Sequence, residues 1–155
     1  MHWGAFHITP GSLTANGESF HGSVRRIDFQ PGTDEEIPSE AFRWSATAGF
    51  ALLAPLEGHE ISTVTAASQD GAVLAGVSRS PTASPTATRS RVVLWDCLGT
   101  RDIAAELTAA GIDLQDMDLG WGGVDHVWSG PSIMLVHQGT TYHPPWIAWL
   151  PDRCR

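Results

Sequence analysis

At 155 residues the chain is long enough for one ordinary domain with a real core, and 42% hydrophobic against 17% charged residues excludes a disordered tail. Nine basic against seventeen acidic side chains leave a net charge of −8, which repels phosphate backbones and excludes nucleic acid as a general partner. No apolar run approaches the ~20 residues needed to span a bilayer, so no membrane span is expected.

Residues 1–6 lack the basic start and apolar stretch of a secretory signal. Two expectations follow: a signal lies upstream of Met1, or the protein stays inside the cell. Sixteen Gly and ten Pro, scattered along the chain, suit many short strands with frequent turns.

The first predicted element is a hairpin over Ser12–Gly22 that bends at Asn16-Gly17. Asn-Gly and Asp-Gly favour the two-residue type I′ turn, which needs positive φ at both central positions. An acidic linker follows from Ile27 to Ser39, then a short apolar strand, Ala41–Trp44, that closes on tryptophan. A turn over 45–49 leads into a fourth strand, Phe50–Ala54.

The second round repeats this order. A hairpin over Ala66–Gly76 bends at Asp70-Gly71, a Ser/Thr/Pro-rich connection runs from Ser78 to Ser90, and Val92–Trp95 is the second tryptophan strand. Asp96–Gly99 turns into a return segment. Next comes a predicted helix over Arg101–Gly111, with Thr100 as its cap, Asp102 complementing the first-turn dipole and Gly111 as its stop. A degraded hairpin over Val127–Val136, with Ser129-Gly130 at its turn, and a third tryptophan strand, Trp146–Trp149, end the series.

Two independent markers keep one period. Trp44, Trp95 and Trp149 lie 51 and 54 residues apart, and the turn residues Gly17, Gly71 and Gly130 lie 54 and 59 apart. Gly22 and Gly76 each follow their turn glycine by five residues. The expected fold is therefore all-β: about three blade-like, four-stranded antiparallel units, a partial or open β-propeller-like stack, with one short helix near 101–110. The units are 1–54, 55–111 and 112–155 of a single repeat domain, read as the C-terminal part of a longer protein. At the same phase of each unit the tryptophans should fill the layer between neighbouring sheets. The rival is a row of exposed, sugar-binding indoles.

Three hairpins, three tryptophan strands and two closing strands are too few for a closed ring, which typically needs four blades. The stack is then a fragment, closes by self-association through open blade edges, or is capped by its helix and loops.

Signals for chemistry are sparse. Cys97 and Cys154, 57 residues apart, form no CxxC pair; they are either one disulfide or two separate buried thiols. His126, His137 and His143 share the last unit without a tight ligand spacing and read as surface or satisfied side chains. Asp113, Asp116 and Asp118 read as a solvated acidic loop, not a calcium site. Asp70 and Asp96 lie in turns, where aspartate has a structural job. There is no G-x-S-x-G elbow and no P-loop. No catalytic residue, metal ligand or cofactor is nominated.

The run Glu40-Ala41-Phe42-Arg43-Trp44-Ser45, followed by Ser68-Gln69-Asp70-Gly71 through Gly76, resembles the units of the bacterial extracellular HAF-repeat proteins, with Glu40 where that family has His. Gly111-Ile112-Asp113-Leu114 and Trp146-Ile147-Ala148-Trp149-Leu150-Pro151 are similar to that family's terminal unit. The resemblance covers about residues 12–151 and implies export to the cell surface or medium. The expected function is a non-catalytic extracytoplasmic scaffold whose loops bind a surface ligand, either a polysaccharide or a protein. The alternatives are a hydrolase or lyase with a propeller-type active site, and a truncated fragment without function of its own.

Overall fold

The structure is a computed structural model that describes residues 5–14, 17–27, 39–81, 90–115, 117, 119, 123–141 and 143–154. The linker residues 28–38 and 82–89, Asn16, Asp116 and Asp118 lie outside the described residues.

The described strands form three separate antiparallel sheets, each wound in chain order. The first holds β1 (Ala5–Leu13), β2 (Ser19–Ile27), β3 (Ser39–Ser45) and β4 (Gly49–Leu53). The second holds β5 (Ile61–Ala67), β6 (Leu74–Arg79), β7 (Arg91–Asp96) and β8 (Gly99–Asp102). The third, three-stranded among the described residues, holds β9 (His126–Trp128), β10 (Ser132–His137) and β11 (Trp146–Pro151). Helix α1 (Ile103–Ala109) connects the second sheet to the third. The all-β class, the open blade-like units and, among the described residues, one short helix are thus present.

The second sheet is buried on both faces, and its sequence shows why. Successive strand residues point to opposite faces, and β7 reads apolar without a break from Val92 to Trp95. Val93 and Trp95 join Leu74, Val64, Ala41 and Leu53 in the core against the first sheet. Val92 and Leu94 join Ala75, Ile133, Leu135 and Ala148 in the core against the third. Each fully buried aliphatic side chain contributes about 1.5–3 kcal/mol, so two such layers account for the stacking.

The recurrent second glycine has a steric cause. Gly22 pairs with Pro10 and Gly76 with Val64, and in both pairs the register of the first strand slips by one residue at that point. A Cβ on Gly76 would stand 1.9 Å from the Thr63 carbonyl oxygen. Only glycine fits where a bulged strand comes this close.

The turn glycines act differently from the two-residue turn expected. Ser68 N–H donates to Val73 O at 2.8 Å, and Gly71 N–H donates to Ser68 O at 2.9 Å. Gly71 has φ +69° and Asp70 is not left-handed, so Asp-Gly occupies the last two positions of a turn opened by Ser68, inside a longer loop. Thr14, Gly17 and Ser19 repeat the same bonds at 2.8 Å each. A hydroxyl closes each loop: Thr14 Oγ1 donates to Ser19 O, and Ser68 Oγ accepts from Val73 N–H.

Helix α1 is capped by Asp102, whose carboxylate accepts from Ala105 N–H at 3.2 Å; Thr100 instead lies in β8 and donates to Ala54 O. Beyond the helix, Ile112 N–H reaches Leu107 O and Gly111 N–H reaches Thr108 O, with Gly111 at φ +84°. These paired bonds close the helix end with a left-handed glycine.

The tryptophans do not share one depth. Trp95 is 3% exposed, Trp44 36% and Trp149 63%. Their pairing positions match: Phe20–Trp44, Leu74–Trp95 and Met134–Trp149 are each the strand-two to strand-three pair near the hairpin end. Only the middle sheet turns that row into a core. The first sheet points it away from the second, and the third sheet is turned over, so that Trp146, Ala148 and Leu150 face inward.

Candidate functional site: a cleft at the hairpin end

The hairpin turns of the three units gather at one end of the stack. A Cβ on Gly71 would meet Ser19 Oγ at 2.6 Å and Thr14 Cγ2 at 2.9 Å, so the second turn lies directly on the first. Asp70 links the second turn to the third: its Oδ1 accepts from Ser68 Oγ at 2.7 Å, from Ala72 N–H at 3.1 Å and from Ser129 Oγ at 3.3 Å. Arg43 Nη1 donates to Gly71 O at 3.4 Å across the first two units.

Between these turns and the β3–β4 turn, where Ala48 N–H donates to Ser45 Oγ, runs an open cleft of about 570 Å³. Its lining includes Glu18, Arg43, Trp44, Asp70 and the turn residues Gly17 and Gly71. Trp44 is held by stacking on Phe20, with ring centres 5.1 Å apart. One fork-shaped donor and two carboxylates line the cleft without a deep enclosure, while the Trp44 ring, stacked on Phe20, lies on the opposite face of β3. Such a set can hydrogen-bond the hydroxyls of a sugar ring.

Of the repeat markers, Gly17, Gly71 and Trp44 belong to this cleft. Gly22 and Gly76 shape the bulges, Trp95 is core, and Trp149 lies on the far face of the third sheet. Arg43 and Glu18 carry no local sequence signal of a site. Arg43's place on the side of β3 that faces the second sheet, shared with Ala41, is the signal that marks it.

Cys97 and Cys154 are joined, Sγ to Sγ at 2.08 Å, and both are exposed, which overturns the reading as separate buried thiols. The bond ties the chain after β11 to the β7–β8 turn. Asp96 shares that turn. Its Oδ1 accepts from Leu98 N–H and its Oδ2 from Arg101, so among the described residues the cluster Asp96, Cys97 and Cys154 has its ligand atoms already committed. Arg101, buried in this corner, also grips Glu106 through two hydrogen bonds of 2.5 Å and holds that carboxyl below its usual range.

The three histidines do not converge. His126 is exposed and bonds Gln138, and His143 lies in the β10–β11 loop. His137 is buried rather than at the surface, because it closes the inward-facing row of the third sheet beside Trp146, with Asp125 Oδ2 3.1 Å from its Nδ1. Asp113 accepts from Gln115 N–H. Asp70 and Asp96 hold turns, as described above.

No family model, no curated protein and no solved structure matches the chain.

Proposed function

We propose that the protein is a non-catalytic, extracytoplasmic repeat scaffold that binds a surface polysaccharide at the hairpin-end cleft. The observation that carries this reading is that Arg43, Glu18 and Asp70 line one open groove built by two repeat units. A guanidinium beside carboxylates suits a hydroxyl-rich chain, and an open groove lets a polymer pass through. A protein ligand is the second occupant of the same groove. The resemblance of the Trp44 and Gly71 runs to HAF-repeat units supports location at the cell surface, as does a disulfide, because disulfides persist in oxidising compartments. A hydrolase or lyase would be better served by a deep pocket with converged histidine and carboxylates; the described lining of this cleft holds no histidine.

The test is affinity electrophoresis of the oxidised chain through gels cast with neutral and acidic polysaccharides, alongside tryptophan fluorescence. Retardation by at least one polymer is expected, with affinity lower by about tenfold or more in Arg43→Ala and in Glu18→Ala. Unchanged mobility in every gel overturns the polysaccharide reading.

A further inference from the structure

The outward face of the third sheet is largely apolar and, among the described residues, uncovered. Trp128, Met134 and Trp149 form one cross-strand row on it, and His126, Val136 and Ile147 form the next. Trp149 is 63% exposed, Ile147 62% and Trp128 49%. No Asp, Glu or Arg stands at any outward position of β9, β10 or β11.

The equivalent face of the second sheet is an interface. The same hairpin-end row of the second sheet, Ala67, Leu74 and Trp95, is packed against the first sheet. The fold also packs like faces on each other. The row Ala66, Ala75 and Leu94 of the second sheet meets the equivalent row Val127, Leu135 and Ala148 of the third. Because the third sheet is turned over, its tryptophan row is left at the end of the stack. From this we infer that the outward face of the third sheet pairs with the same face of a second copy, about a two-fold axis.

The area fits. Two indoles half to two-thirds exposed, with Ile147, Met134 and Val136, amount to roughly 400–500 Å² of apolar surface, the size of the largest single patch on an ordinary monomer, which is often functional. Doubled across a two-fold, this approaches the ~1,000 Å² of a specific but weak interface. The contact itself carries no charge, while each copy brings a net −8. Their long-range repulsion is screened by salt, so the dimer strengthens as ionic strength rises. It is a face-to-face contact, distinct from pairing through open strand edges.

Sedimentation velocity of the oxidised chain across the micromolar range tests this. A reversible dimer is expected, tighter at high salt, and weakened about tenfold or more by Trp149→Ser and by Ile147→Glu. Both side chains are largely exposed, and unchanged circular dichroism establishes that each variant is folded. Trp44→Ser, on the opposite end of the stack, leaves the dimer intact. A monomer throughout the range overturns the inference. So does a dimer that survives both third-sheet substitutions, as edge pairing would, or one lost only with Trp44→Ser. A monomer whose fluorescence shifts on adding an oligosaccharide, with loss of the shift in Trp149→Ser, reassigns the face to a glycan and likewise overturns it.

Discussion

Trp44 and Trp95 hold the same station in successive sheets, yet the Trp95 indole is enclosed and donates from Nε1 to Ala54 O at 2.9 Å, whereas Trp44 borders open solvent. Trp95→Ala should therefore cost about 3–5 kcal/mol, as truncation of a buried aromatic does. Trp44→Ala should cost about 1 kcal/mol. Urea unfolding of the two variants measures the difference, and equal costs would contradict the packing described.

Gly76 and Gly17 are constrained in different ways. Gly76→Ala drives a methyl into the Thr63 backbone carbonyl and should unfold the second sheet or cost more than about 3 kcal/mol. Gly17→Ala meets nothing within 4 Å but keeps φ +72°, so its cost is the left-handed strain alone, about 1–2 kcal/mol. Thermal unfolding should rank the pair in that order.

Reducing the Cys97–Cys154 bond, which closes a 57-residue separation, should remove about 4 kcal/mol of stability. The melting temperature in dithiothreitol, and that of Cys154→Ser without it, should fall together. Unchanged melting in both would mean that the two cysteines are not paired in the native protein.

Acid should destabilise the fold in two stages. Burial lowers the pKa of His21 from its usual 6.5, so the folded state keeps it neutral. Its contribution is complete above the unfolded value and is lost as pH falls toward the lowered folded one. Glu106 follows at lower pH. The hydrogen bonds from Arg101 depress its pKa below 4.5, and the stability they confer is present above that value and lost as the carboxyl protonates through the depressed one. Urea midpoints against pH should show both slopes, and His21→Gln should flatten only the first.

Much of the architecture was readable from local pattern. Strand, turn and tryptophan markers recur because each unit buries its side chains with period two, and the eleven described strands follow that order. Trp depth was not readable, because pairing position sets which row a residue joins, not whether another sheet lies over that row. Trp149 shows this: its partner Met134 is local, but the turning-over of its sheet depends on long-range contacts such as Thr65 Oγ1 with the Val124 backbone. The cleft was half visible. Gly17, Gly71 and Trp44 stood out as markers, while Arg43 gained meaning only when Gly71, 28 residues on, was placed against it. The Asp70–Ser129 bond spans 59 residues and no local signal announces it. The helix cap moved from Thr100 to Asp102 because Thr100 was already committed to β8.

The bond between Cys97 and Cys154 also sets how the molecule carries mechanical load. Tension pulled along the backbone past Cys154 crosses to the β7–β8 turn through sulfur and never enters α1 or the third sheet. Roughly 190 Å of extended contour is locked out of the force path. Stretching would therefore peel the first sheet and strands β5–β7, while β8, α1 and the third sheet stay behind the bond as a slack loop, until a reductant severs the clasp.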